Sequence, residues 1–353
     1  MHTDIEEYTS NFGLYANMKA LDHLPPLAGR LATIEHDNDP FPFPLTALML
    51  GLALSMQQLM MSVSINHTVI DGASFFHFFS SWLETARGSS CLSKQPIFQR
   101  WFLNATDCPI RIPHSYINHI DKNEFSPSVP VKVRVFHFTK EVIAILKEKA
   151  NAEVGTHEIS SLQALSSHFW QSVVRNKKNI DPDEATSYCL LIGSRQRLQE
   201  LSEGYFGNAL EVGIVTMKAK ELLDHGLGNA AWEMNKVVAS CNMKKLSNFL
   251  ESWTKCPKIK KMSNMVRNAI GTSDSPRFDI YGGDTGLGRP VAIRSGPANK
   301  FDGRITVHCG VEEGSIDIEV CLSLETFQAM EKDKEFMDTV SIKSNWPSKT
   351  FKG

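Results

Sequence analysis

The chain is predicted to be an α/β protein. Two observations lead there: short apolar runs of strand length recur along its 353 residues, and apolar stripes at helical spacing recur between them. Neither pattern is confined to one end, so helices and strands are mixed throughout rather than segregated.

The first strand signal with a clear partner is Leu59 to Asn66, an apolar run suited to a buried strand. Residues 73–87 follow as a helix, with Phe75, Phe79, Trp82 and Ala86 on one stripe and Gly88 as the stop. Further on, Val131, Val133 and Val135 alternate with Lys132 and Arg134, the period of a half-exposed strand, and Thr139 opens a helical run through Leu146. Ser160 and Ser161 precede the stripe Leu162, Leu165, Phe169 and Val173, and Tyr188 to Ile192 reads as a buried strand. Ile305 to Cys309 and Ile316 to Leu322 flank Glu312-Glu313-Gly314 as a hairpin. Residues 106–130, dense in Pro, Asp, Asn and Ser, read as a linker between a front domain, 1–105, and a back domain, 131–353.

Composition narrows the function. With 42% hydrophobic and 22% charged residues the chain can bury a sizeable core. The balance of 37 Lys+Arg against 39 Asp+Glu supplies no basic field for nucleic acid or anionic lipid, so neither is an expected partner. The 7 cysteines are widely spaced, odd in number and never C-x-x-C, which fits a reducing compartment rather than a disulfide framework or a zinc ribbon. Met1-His2-Thr3-Asp4-Ile5-Glu6-Glu7 lacks the basic start and apolar core of a signal peptide, so a cytoplasmic location is expected. Residues 45–65 approach the length of a membrane span, but Gln57-Gln58 in their middle favours a buried core segment.

The segment between the first strand and helix carries the chemistry. An imidazole at a strand-to-helix turn, as His67 would be, is fixed by the scaffold yet reachable, which a general base requires. Imidazole titrates near neutrality and can take a proton from an alcohol or amine attacking a carbonyl. Asp71, four residues on, accepts a hydrogen bond from His67 or pairs with a basic residue that pins the turn; the sequence leaves both readings open.

Ser64-Ile65-Asn66-His67-Thr68-Val69-Ile70-Asp71-Gly72-Ala73-Ser74-Phe75 closely resembles the H-x-x-x-D signature of the plant BAHD acyltransferases. Leu27-Ala28-Gly29-Arg30-Leu31 is similar to that family's early P-L-A-G-R-L segment. Ser194-Arg195-Gln196-Arg197 and Gly204-Tyr205-Phe206-Gly207-Asn208-Ala209 are similar to its arginine and Y-F-G-N-A stretches. Asp284-Thr285-Gly286-Leu287-Gly288 stands where the family has D-F-G-W-G, with Thr and Leu in place of Phe and Trp, and residues 32–44 are shorter than the family's spacing before the His.

The resemblance implies a two-domain, CoA-dependent acyltransferase fold of the chloramphenicol acetyltransferase type, with mixed sheets and a channel between the domains. It implies transfer of an acyl group from an acyl-CoA co-substrate to a hydroxyl or amine of a small molecule, with no bound cofactor, by a monomer of plant specialised metabolism. His67 would be the base and Asp71 would hold the local geometry; Asp284, Gly286 and Gly288 would be structural, with Asp284 paired to Arg195 or Arg197. Ser160 and Ser161 match a stretch that approaches the pantetheine arm, their plain reading being a helix cap. Arg277 matches a position where some relatives bind an acceptor carboxylate, its plain reading being a surface arginine. No covalent acyl-enzyme is expected, since the cysteines stand in no Cys/His motif and no G-x-S-x-G elbow occurs. The alternative is a truncated family member that binds without turnover. A metal site on His67, Asp71 and His77 is not expected, because His77 falls among phenylalanines.

Overall fold

In the computed structural model the described residues are 23–24, 49–55, 58–65, 67, 69–99, 130–198, 201–256, 268–282, 289–296 and 300–341. The front part contributes β1 (Met49–Ser55), β2 (Gln58–Ser64) and α1 (Gly72–Ala86). The apolar 45–65 stretch is thus largely a hairpin, with Met49 paired to Ser64 and Ser55 to Gln58. No helix among the described residues is long and apolar enough to cross a membrane.

The back part supplies β3 (Val131–Phe138), α2 (Lys140–Val154), α3 (Ser161–Asn176), β4 (Ala185–Gly193) and β5 (Leu210–Lys218). After these come α4 (Ala219–Asp224), α5 (Gly226–Ser240), α6 (Met243–Lys255), β6 (Asn268–Ser273), β7 (Arg304–Cys309), β8 (Ile316–Ser323), α7 (Leu324–Met330) and α8 (Lys334–Met337). The strands form one six-stranded sheet in the order β3-β8-β7-β6-β4-β5. It is mixed, since β6 runs parallel to both β4 and β7 while the other pairs are antiparallel.

The helices start where the sequence expects them. Thr139 accepts from the Val142 N–H to cap α2, and Ser160 forms a reciprocal box with Gln163 at the start of α3, satisfying N–H groups a helix end otherwise strands. Gly155 ends α2 in the left-handed conformation, φ 66°. Burial on α3 is wider than the expected stripe: Leu165, Phe169 and Val173 are buried, but so are His168, Trp170 and Ser172, because sheet and helices enclose α3 on several sides. On α1 the deepest residue is Phe78 rather than Phe75 or Phe79. Phe78 packs with Trp82, Leu83, Ile70, Leu24 and Phe206. On β3, Val133 is exposed while Phe136, His137 and Phe138 are buried, so burial follows position along this edge strand more than alternation.

One face of the sheet carries the core. Ile305 and Val307 of β7 join Ile316, Ile318 and Val320 of β8 beneath α2, α3 and α5, with Phe169, Trp170, Tyr188, Phe327 and Phe336 filling the centre. The Phe336 ring meets Phe136 edge-on at 5.0 Å and Phe169 at 5.8 Å. The opposite face is buried too, but with polar residues. Asp317 meets His137 Nδ1 at 2.6 Å, and Glu319 accepts from Lys300 Nζ at 2.5 Å and from the Ser295 N–H at 3.0 Å.

Two outcomes follow. Phe336→Ala empties the middle of the aromatic cluster and lowers unfolding free energy by about 3–5 kcal/mol, read from urea denaturation. His168, buried beside Phe336 and donating or accepting at Thr339 Oγ1 over 2.9 Å, has its pKa pushed down by burial to about 4. Since the folded value lies below the unfolded one, the unfolded state takes up the proton first; stability is full above about pH 6.5 and falls as pH drops toward about 4. In His168→Gln that decline is shallower, measured as urea midpoints at pH 7 and pH 4.5.

Candidate functional site

The turn between β2 and α1 is held from its Asp end. Asp71 is the N-cap of α1, with extended backbone, and its Oδ1 accepts the Ser74 N–H at 3.0 Å. The side chain has no exposed surface, so its charge must be met inside the protein. Arg195 meets it as a fork, Nη1 to Oδ2 at 2.6 Å and Nη2 to Oδ1 at 2.9 Å, and the Ala209 N–H donates to Oδ2 at 2.9 Å. Burial pushes the Asp71 pKa up, but the Arg195 guanidinium and the N–H groups of Ser74 and Ala209 outweigh it and hold the carboxyl below its ordinary 3.8.

Of the two open readings for Asp71, the geometry is the second. Its carboxylate goes to Arg195, Ser74 and Ala209; among the described residues it makes no hydrogen bond with His67. Arg195 is in turn saturated, its Nη2 also donating to Ser74 Oγ and to the Gly207 carbonyl, each at 2.9 Å, with the guanidinium over the Tyr205 ring. Arg197 lends Nη1 to the Gly193 carbonyl at 2.8 Å. Asp284, Gly286 and Gly288 lie outside the described residues, and so does most of the expected linker, 106–130.

His67 sits at the other end of the turn, exposed. Its carbonyl accepts from Asn208 Nδ2 at 2.8 Å, so the Y-F-G-N-A segment grips both ends of H-x-x-x-D, through Asn208 at His67 and Ala209 at Asp71. Between them Gly207 leaves no room for a side chain beside Tyr205: a Cβ there would stand 2.6 Å from Tyr205 Oη. Ser74, Gly207, Asn208 and Ala209 had no assigned role in the sequence. The motif stretches flagged the neighbourhood, but a backbone N–H as a carboxylate donor leaves no mark on residue identity.

On its other side, the start of α1 packs against the segment following β6. Phe278 stacks on Phe76 at 4.5 Å, and a Cβ on Gly72 would be 3.3 Å from the Phe278 ring. Arg277 is exposed in that segment, its N–H donating to Ser275 Oγ. Ser160 is engaged in the α3 capping box, which is the plain reading of that residue, with Ser161 as the first residue of the helix. His77 turns away from His67 and Asp71: its Nε2 lies 2.9 Å from the Lys94 carbonyl oxygen, its ring against Phe206, and burial pushes its pKa down. No group of three or more His, Cys, Asp or Glu among the described residues is arranged to hold a metal ion.

A mixed six-stranded sheet with helices on one face, joined through an arginine to an H-x-x-x-D turn, defines an acyltransferase-type fold. TRI101 of F. sporotrichioides, solved with coenzyme A and T-2, superposes with a TM-score of 0.74 at 15% identity, covering 95% of this chain and 92% of that one. Residues 54–337 match the Transferase family. The chain is 36% identical over 281 residues to an uncharacterised acetyltransferase of Arabidopsis thaliana, covering 77% of this chain and 63% of the relative. It is 30% identical over 292 residues to the BAHD acyltransferase DCR of the same plant, covering 79% of this chain and 60% of the relative. The chain therefore belongs to the Transferase family, that of the BAHD acyltransferases, and spans 60–63% of the length of these relatives.

Removing one member of the buried pair tests its hold on the turn. Arg195→Ala destabilises the protein by about 3–5 kcal/mol, because Asp71 is left charged and buried. The double variant Asp71→Ala/Arg195→Ala recovers part of this loss in urea denaturation. Because the folded Asp71 pKa lies below 3.8, its contribution is present above that pH and is lost as pH falls through the folded value, a component absent from Asp71→Asn.

Proposed function

We propose that the chain transfers an acyl group from an acyl-CoA thioester to a hydroxyl or amine of a small molecule, with His67 as general base. One observation carries this reading: the Asp71 carboxylate is wholly consumed by Arg195, Ser74 and Ala209, while His67, four residues away in the same turn, stands exposed. A turn pinned so firmly at its buried end presents the imidazole in a fixed place without tying it up.

In this reading the His67 imidazole takes the proton from the acceptor O–H or N–H as its oxygen or nitrogen attacks the thioester carbonyl. The tetrahedral species collapses by breaking the carbon–sulfur bond, and the proton held on His67 passes to the departing CoA sulfur. Ester or amide and free CoA leave; the protein forms no covalent bond. Asp71 acts as a positioning residue, keeping α1 and the turn in register. The free cysteines Cys91, Cys189, Cys241, Cys256, Cys309 and Cys321 support the reading of a cytoplasmic protein, and the Arabidopsis relatives that of a plant metabolic enzyme, taken here as a monomer.

A second reading is favoured by the length: the chain spans 63% of a relative, and in this reading it binds acyl-CoA without turnover.

The test is acceptor-dependent release of free CoA from a panel of acyl thioesters. His67→Ala lowers the rate by about 100- to 10,000-fold while its thermal melt is unchanged. A variant with wild-type turnover removes His67 as the base, and binding of acyl-CoA with no release from the wild-type chain selects the second reading.

A further inference from the structure

His308 on β7 is 3% exposed, and neither of its ring nitrogens has a hydrogen-bond partner among the described residues. A buried polar group without a partner is costly and rare, so its persistence points to something that meets it. Asp274 Oδ2 lies 3.2 Å from His308 Nδ1 but out of line for a hydrogen bond. Asp274 itself is held at φ 71°, a left-handed conformation that non-glycine residues seldom adopt. Its Oδ1 accepts the Ser275 N–H at 2.9 Å and stands 3.8 Å from where a Cβ on Gly72 would be. The Asp274–His308 pair therefore adjoins the first residue of α1, beside Asp71 and on the same turn-and-helix unit as His67.

Tyr281, on the same segment, also buries its hydroxyl, which has no partner in hydrogen-bond geometry among the described residues. Burial, with the nearby Asp317 and Cys309, pushes its pKa up to about 12, so it remains a neutral phenol. Asp317 faces His308 across the β7–β8 ladder, which puts the phenol and the imidazole at the same polar face of the sheet.

Resting on the acyl-transfer reading, we propose that His308 and Tyr281, backed by Asp274, form a subsite that receives a hydroxyl group of a neutral acceptor molecule beside the His67 turn. An imidazole and a phenol each offer a donor and an acceptor, and a hydroxyl matches both roles at once. A carboxylate is disfavoured there, since Asp274 and Asp317 both bring negative charge. Arg277, the cation of the 274–282 segment, is exposed.

The matched probes are 4-hydroxybenzyl alcohol and 4-hydroxybenzoate, titrated calorimetrically into the full chain. The alcohol binds at least about tenfold more tightly than the acid; His308→Phe weakens the alcohol by about tenfold and leaves the acid unchanged. Asp274→Asn moves the alcohol-to-acid ratio toward one, a readout that a merely structural role would not move. Should His308→Phe fail to fold by its thermal melt, His308→Gln takes its place and is expected to keep part of the alcohol affinity. Tighter binding of the acid assigns recognition to Arg277 and overturns the subsite, as does binding of neither probe or an unchanged His308 variant. Binding is read without turnover, so the two readings fail separately. Alcohol binding without CoA release removes the acyl-transfer reading alone; His67-dependent CoA release without alcohol preference removes the subsite alone.

Discussion

A carboxylate with no exposed surface stays ionised only where charge and donors surround it, and Asp71 is surrounded from two separate parts of the chain. Its own helix supplies the Ser74 N–H, and the stretch after β4 supplies Arg195 and the Ala209 N–H. The pair is therefore a cross-link between the front helix α1 and the six-stranded sheet, with no chain connection nearer than the residues between them. Low local dielectric makes such a link strong when complete and costly when half removed. It explains why a residue four positions from an exposed histidine is itself beyond the reach of solvent: Asp71 spends its carboxylate on Arg195, Ser74 and Ala209 and fixes the start of α1.

The sheet divides its labour by face. Beneath the helices, Ile, Val and aromatic side chains pack in the ordinary way, with non-directional burial as the driving force. On the other face the alternate positions of β7 and β8 are His308, Thr306, Asp317 and Glu319, all buried. Such a face tolerates few mismatches. Asp317 is matched by His137, and Glu319 by Lys300 and Ser295. At His308, as at Arg304 Nε on the same strand, matching stops among the described residues, and His308 lies next to the segment that packs on the start of α1.

Elements with strong local signals were legible in advance. The strand, turn and helix around H-x-x-x-D, the caps Thr139 and Ser160, and the β7–β8 hairpin with Gly314 at φ 80° all follow from patterns a few residues long. β5, α5 and β6 carried weaker signals. In β5 the outward positions Val212 and Ile214 are as apolar as the inward Val215, so no alternation marks it, and in β6 a run of small residues, Asn268-Ala269-Ile270-Gly271-Thr272-Ser273, hides a central strand. The burial of α3 on several sides was likewise invisible, since a helix's own period shows one face and not how many neighbours it will have.

The candidate site shows the same boundary. The sequence by itself determined the identity of the turn, the helix after it and the pair of residues His67 and Asp71, because residue type and spacing along one short segment are local properties. Only the tertiary structure decided that Asp71 belongs to Arg195 and not to His67, that Asn208 and Ala209 hold the two ends of the turn, and that Asp274 and His308 meet beside Gly72. The reason is physical: a buried charge takes whichever partner the packing brings within about 3 Å, and that choice is made between segments more than a hundred residues apart, by donors that include backbone N–H groups identical at every position.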